Sequence, residues 1–234
     1  MDERIRRQPG AIQGMFARVA RRYDLLNRLL SLGQDGRWRR HLLDSLVAAP
    51  PGPLLDLATG TGDVALGARG RVVVGADFCI DMLALGSVKG HRRHLPVRWV
   101  AGDAMRLPFR DDTFAAVSVA FGARNFSSLQ LGLVEIRRVL LPGGLAAVLE
   151  FQQPPRAWQA ALHRWWSWWV VEPMGGWLSD DGEAYTYLPA SMADFPDRRG
   201  LATVMAGAGL TAVAGRQFAL GVVGLSVGRK DEQS

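Results

Sequence analysis

The chain has 234 residues, is 48% apolar and carries a net charge of +6, a size and make-up suited to one α/β domain or a domain with a small lid. Its single cysteine, Cys79, excludes an internal disulfide and any cysteine-rich metal site, and no run approaches the ~18 to 20 apolar residues of a membrane span. Arginines interrupt the first 30 residues, so a signal-type apolar core is not expected there, and a cytoplasmic protein, soluble or peripheral on a membrane, is. The basic excess is nearly all arginine, Lys89 and Lys230 being the lysines, and favours anionic partners.

From Ile12 to Leu30, apolar residues recur in steps of three and four and predict an amphipathic helix or a pair of short ones. A further helix is expected over 36–47, stopped by the Pro-Gly-Pro of 51–53. Strand and helix then alternate. "PLLDLA" reads as a strand, "GDVALGA" as a short helix, "RVVVGAD" as a strand and "CIDMLALGSVKG" as a helix, with Cys79 a packing thiol. "VRWVAGD" and "FAAVSVAF" are the next strands; the helix of "SLQLGLVEIRRVLLPGG" is expected to stop at Pro142 and Gly143, before a fifth strand, "LAAVLEF". Residues 154–199, rich in Trp, Pro and Gly, break the alternation and read as a lid insertion, and a helix near 199–207 and strands over 210–218 and 221–229 close the chain. Short Val- and Leu-rich strands separated by helices predict a mostly parallel sheet covered on both faces, with ligands beyond the carboxyl ends of the strands.

Polar clusters fall at those strand ends. "LLDLATGTGD", residues 54–63, puts Asp56 at the end of the first strand, a Gly60-Thr61-Gly62 turn after it, and Asp63 at the start of the expected helix as its cap. Asp77, followed by Phe78, ends the second strand, Asp103 and Ala104 end the third, and "FGARN" follows the fourth. A pyrophosphate on the Gly-rich turn would meet Asp56 and Asp63 with no basic residue in the loop to offset them, and the absence of a following lysine excludes a P-loop. S-adenosylmethionine fits better. It has no phosphate and carries a sulfonium and an ammonium, Asp77 is placed to accept from both ribose hydroxyls, and Asp103 from the adenine amino group, with the Ala104 N–H as a donor. An NAD-dependent reductase is disfavoured by the paired acids and the lack of a Tyr-x-x-x-Lys pair. A nucleic-acid binder is disfavoured because no basic stripe interleaved with aromatics lies near the cleft.

In "YDLLNRLLSLGQDGRWRR", "LLDLATGTGD", "FGARN", "YTYL" and "GVVGLSVGRK", spread over about residues 14–230, the chain resembles the ubiquinone/menaquinone biosynthesis C-methyltransferases, the UbiE/MenG type. The resemblance implies a single Rossmann-like class I methyltransferase domain over 1–234: a mostly parallel seven-stranded sheet flanked by helices, an N-terminal helical cap over about 10–50 and the Trp-rich lid. It implies methyl transfer to a ring carbon of a polyprenylated demethylquinol, demethylmenaquinol first, with a ubiquinone precursor or a soluble phenolic acceptor as alternatives. It also implies cofactor contacts at Thr61, Asp77, Asp103 and Ala104. The family's serine at the end of strand four is Ala120 here, and the stretch between Gly62 and Asp77 is shorter than usual.

Methylating an aromatic carbon requires an electron-rich ring, which loss of a quinol hydroxyl proton supplies, and no metal is required. The resemblance suggests that Arg124 and Asn125 act in catalysis. A guanidinium is too basic to serve as a simple base, so Arg124 is expected to stabilise the phenolate, or else to form a salt bridge with a neighbouring acid. Asn125 would orient the quinol oxygen, with Tyr185, Asp180 and Asp181 as candidates for a proton relay. Six of the eight tryptophans lie between 158 and 177, and with Arg156 and Arg164 they predict an entry for the prenyl tail docked on an anionic inner leaflet. A homo-oligomer is left open.

Overall fold

The computed structural model describes residues 28, 31–152 and 195–232. The helix expected over Ile12–Leu30, nearly all of the lid, its tryptophans, and Tyr185, Asp180 and Asp181 lie outside the described residues. Strands β1 (Leu54–Leu57), β2 (Val73–Asp77), β3 (Val97–Ala101), β4 (Phe114–Ala120), β5 (Leu140–Phe151), β6 (Leu210–Phe218) and β7 (Val223–Lys230) form one sheet in the order β3-β2-β1-β4-β5-β7-β6. The first five pair in parallel, and β7 runs antiparallel between β5 and β6. The expected mostly parallel, seven-stranded sheet is therefore present.

Both faces are covered. Helix α1 (Asp35–Ser45) buries Trp38 and Leu42, which with Leu46 pack on one face against Leu54, Leu145 and Leu149. Helices α3 (Leu129–Val139) and α4 (Arg198–Gly207) cover the other, where Leu133, Ile136, Leu201 and Met205 meet Leu55, Leu57, Val117 and Val148. Neighbours Leu54 and Leu55 thus enter opposite cores, as the two-residue period of a strand requires. Each such fully buried aliphatic side chain contributes about 1.5–3 kcal/mol of transfer free energy. Helix α2 (Ile80–Arg92) leads from β2 to β3. Ser128 and Asp197 cap α3 and α4, accepting from the N–H groups of Leu131 and Gly200.

Two expectations are corrected. "GDVALGA" is a run of turns over 60–67, not a helix. The segment is short and glycine-rich, and the Ala65 N–H turns to the Asp56 carboxylate instead of up a helix. The helix expected to continue to Pro142 ends at Val139, and β5 begins at Leu140. Phe114 pairs with Leu140 but Ala116 with Leu145, so Pro142 and Gly143 form an irregularity within the strand pairing. The proline's missing N–H is tolerated there.

Candidate active site

Strand order reverses between β1 and β4, and the crevice above such a reversal is where α/β sheets bind ligands. A cavity of about 200 Å³ opens there. Leu57, Ala58 and Gly60 line it from the end of β1, Phe121, Gly122 and Asn125 from the end of β4, Asp77 and Phe78 from β2, and Asp103 and Ala104 from beyond β3. Met82, Met105 and Phe126 add apolar wall. No lysine or arginine lines it among the described residues.

Its floor is tightly built. Ala58 and Phe121 both hold left-handed backbones, at φ 52° and 58°, a conformation that costs a residue with a side chain about 1–2 kcal/mol. A Cβ on Gly122 would overlap that of Ala58, so this glycine lets the ends of β1 and β4 touch. Such strain concentrates where a site holds backbone in place.

Asp77 ties the site together. Its Oδ2 accepts the Gly60 N–H at 2.8 Å and its Oδ1 the Cys79 N–H at 2.9 Å, joining the Gly-rich turn to the start of α2. Burial pushes its carboxyl above the ordinary value, against the backbone hydrogen bonds from Cys79, Gly60 and Phe78. Asp103 is exposed and accepts the Met105 N–H at 3.0 Å. Cys79 is buried, as expected, and also lines the cavity.

The other acids stand differently from the sequence reading. Asp56 is 1% exposed and lies beneath the turn, not among the lining residues. Its oxygens accept from Thr59 Oγ1 (2.6 Å), Ser118 Oγ (2.7 Å) and the Ala65 N–H (3.1 Å). Asp63 caps no helix and is not uncompensated. Lys89 Nζ, from α2, donates to its Oδ1 at 2.9 Å and to Thr61 Oγ1 at 2.9 Å, while Arg39 Nη1, from α1, stands 3.7 Å from its Oδ2. Burial raises the Asp63 carboxyl, but the Lys89 hydrogen bond and the Arg39 charge outweigh it and hold the group below its ordinary value. The bias against phosphate therefore comes from Asp77, Asp103 and the lack of a lining cation, not from Asp56 and Asp63.

Thr61, Gly62 and Ala120 are likewise not among the lining residues. A Cβ on Gly62 would overlap the Trp99 indole, and one on Gly86 would come within 2.7 Å of it. Trp99 on β3 thus supports the Gly-rich turn from behind. Gly62→Ala must move that indole and hold φ 84° as well, so it is expected to lose about 2–4 kcal/mol in urea denaturation. Adding Trp99→Ala should make the second loss less than additive, and additive losses would show that the indole is not the obstacle.

Burial raises the Asp56 carboxyl from 3.8 to about 6, against the hydrogen bonds from Thr59, Ser118 and Ala65 and the charge of Arg39. The native state then holds this proton more tightly than the unfolded chain. Stability from this group is accordingly lost as pH rises from about 4 to about 6, by about 3 kcal/mol. Urea denaturation across that range should show this slope in the wild type and lose it in Asp56→Asn. Parallel pH profiles would refute it.

Arg124 sits on a 3-10 turn, Ala123–Asn125, beyond β4. Of the two expectations for it, the structure shows the ion pair: Nη1 donates to Glu150 Oε1 at 2.6 Å, with the side chains 6% and 1% exposed. Nη1 also donates to the Phe121 carbonyl, and the Arg124 N–H to Glu150 Oε2 at 3.3 Å. Arg124 does not line the cavity, whereas Asn125 does. Glu150, absent from the sequence-derived candidates, anchors the turn that presents Asn125. An acid inside the apolar run "LAAVLEF" was its signal. His91 and His94 are exposed, and no group of three or more His, Cys, Asp or Glu is placed to hold a metal among the described residues.

The model of the ubiE/COQ5 methyltransferase family matches residues 3–230. A demethylmenaquinone methyltransferase of Thermus thermophilus is 46% identical over 92% of this chain and 99% of its own length. The ubiquinone/menaquinone biosynthesis C-methyltransferase UbiE of Rubrivivax gelatinosus is 37% identical over 98% of this chain and 90% of its own. Among solved structures, a SAM-dependent methyltransferase of Thermotoga maritima, a possible histamine N-methyltransferase, superposes with a TM-score of 0.67 at 18% identity, covering 94% of this chain and 99% of that one, a likeness of fold. With a family-model match over residues 3–230 and relatives 37–46% identical over nearly all of its length, the chain belongs to the ubiE/COQ5 methyltransferase family.

Proposed function

We propose that this enzyme transfers the methyl group of S-adenosylmethionine to a ring carbon of a polyprenylated demethylquinol, demethylmenaquinol becoming menaquinol. The observation that carries the acceptor is the 46% identity to the Thermus demethylmenaquinone methyltransferase, which this chain spans almost end to end. The observation that supports the cofactor is a cavity with two acids and no lining cation, which suits a ribose and a sulfonium and opposes a phosphate. Asp77 would accept from the ribose hydroxyls, Asp103 and the Ala104 N–H would meet the adenine edge, and Phe78, Met82 and Met105 would enclose its faces.

In the reaction the quinol loses a hydroxyl proton. The adjacent ring carbon then forms a bond to the methyl as the carbon–sulfur bond breaks, leaving S-adenosylhomocysteine; the ring C–H proton departs to restore aromaticity and the quinol oxygen takes a proton back, so that one proton is released overall. Asn125 orients the quinol oxygen. Arg124, fixed by Glu150, holds the turn on which Asn125 stands. No metal is assigned a role. The Rubrivivax relative, whose name covers both quinones, favours a ubiquinone precursor as the second acceptor. No helix among the described residues is long and apolar enough to cross a membrane, and the net charge of +6 supports peripheral docking on anionic lipid to reach the prenylated substrate.

The test is incubation with S-adenosylmethionine and reduced demethylmenaquinone, or its demethylated ubiquinone counterpart, followed by mass spectrometry. A product one methyl heavier from the first acceptor is expected. Turnover of non-prenylated phenols alone would refute the acceptor, and no methyl transfer to any of them would refute the reading.

A further inference from the structure

The amino-acid end of S-adenosylmethionine carries a carboxylate as well as an ammonium, and among the described residues the cavity wall supplies no cation to meet it. We propose that Arg39 binds this carboxylate, an inference that rests on the cofactor reading above. Asp77 and Asp103 place the adenosine toward β2 and β3. The amino-acid end then points toward the ends of β1 and β4, where Leu57, Ala58, Gly60 and Phe121 form the wall. Arg39 stands behind that wall. Its Cζ lies 5.6 Å from the Phe121 ring centroid, and its Nη1 is 3.7 Å from Asp63 Oδ2, on the turns that follow Gly60. Its charge also reaches Asp56, whose carboxyl it lowers against the effect of burial.

Arg39 and Lys89 both pair with Asp63, and they are not equivalent. Lys89 Nζ donates to Thr61 Oγ1, Asp63 Oδ1 and the Thr61 carbonyl, so its ammonium is committed to holding the turn. Arg39 makes both of its carboxylate contacts, to Asp35 and Asp63, through Nη1. The Nε and Nη2 edge of its fork touches no carboxylate among the described residues. A guanidinium presents five N–H donors in a plane, so that second edge suits a bidentate carboxylate. The side chain is also 12% exposed, so it is ordered by the protein before any ligand arrives.

The experiment is calorimetric titration of the wild type, Arg39→Gln and Arg39→Lys with S-adenosylhomocysteine and with S-adenosyl-3-thiopropylamine, which lacks only the carboxylate. The wild type should prefer the full ligand by about 10- to 100-fold, the worth of a charge-assisted contact. Arg39→Gln should lose that preference and bind the decarboxylated ligand within about twofold of the wild type, with Arg39→Lys between the two. Equal loss for both ligands would make Arg39 a support for the turn, and retention of the preference in Arg39→Gln would place the carboxylate elsewhere. Either result overturns the inference while leaving the cofactor reading standing. If Arg39→Gln fails to fold, an undiminished preference in Arg39→Lys, or none in the wild type, overturns it. A wild type that binds neither ligand overturns the cofactor reading with it.

Discussion

Glu150→Ala is expected to destabilise the native state by about 3–5 kcal/mol, the cost of leaving a buried cation without its partner. The carboxylate and the Arg124 side chain are 1% and 6% exposed, so water cannot take over the lost contact. The same carboxylate accepts the backbone N–H groups of Arg124 and Phe151, and both lose their acceptor. Glu150→Gln keeps the volume but not the charge, and should recover only part of the loss. Removing both charges, as Arg124→Met with Glu150→Leu, should cost less than Glu150→Ala alone, because no unpaired charge is then buried. Urea denaturation measures all of these. A loss below about 1 kcal/mol for Glu150→Ala would class the pair with exposed ion pairs and refute its role as the anchor of the turn.

Asp77→Ala is expected to weaken S-adenosylhomocysteine binding by about 10²- to 10⁴-fold. Two ribose hydroxyls donating to a buried carboxylate are worth about 1.5–3 kcal/mol each. The Gly60 and Cys79 N–H groups also lose their acceptor, so the turn and the start of α2 are no longer tied. Asp77→Asn keeps one acceptor oxygen and should fall between. The measurement is calorimetric affinity alongside a thermal melt. A variant that melts like the wild type and binds within threefold of it would remove Asp77 from the cofactor site.

The parts legible in the sequence are those governed by local pattern. Runs such as "RVVVGAD" and "FAAVSVAF" are buried on both faces over most of their length, so they announce β2 and β4 with little tertiary information. Asp77, Asp103 and Asn125 were found because each lies at the carboxyl end of a strand or within five residues beyond it. What failed was reading across elements. Asp63 and Lys89 are 26 residues apart, as are Arg124 and Glu150, and no local period links them. Asp63 was therefore read as an uncompensated acid and Glu150 was passed over. "GDVALGA" has helix-forming residues, and only the three-dimensional draw of Asp56 on the Ala65 N–H shows why turns prevail there. The glycines at 62 and 86 looked like loop and helix punctuation until Trp99, on β3, filled the space that their missing side chains leave.

The sequence by itself determined the order of the strands, the placement of acids at strand ends and the membership of a quinone-methylating family, because hydrophobic periodicity and short motifs are local properties. Only the tertiary structure decided which acids face the cavity and which are spent on the scaffold. Asp56 is the next-to-last residue of β1 and Asp77 the last of its neighbour β2, yet one is closed off by two hydroxyls and an N–H while the other opens onto the cavity. That difference depends on partners brought from as far as 62 residues away, and long-range partners are fixed by packing rather than by pattern.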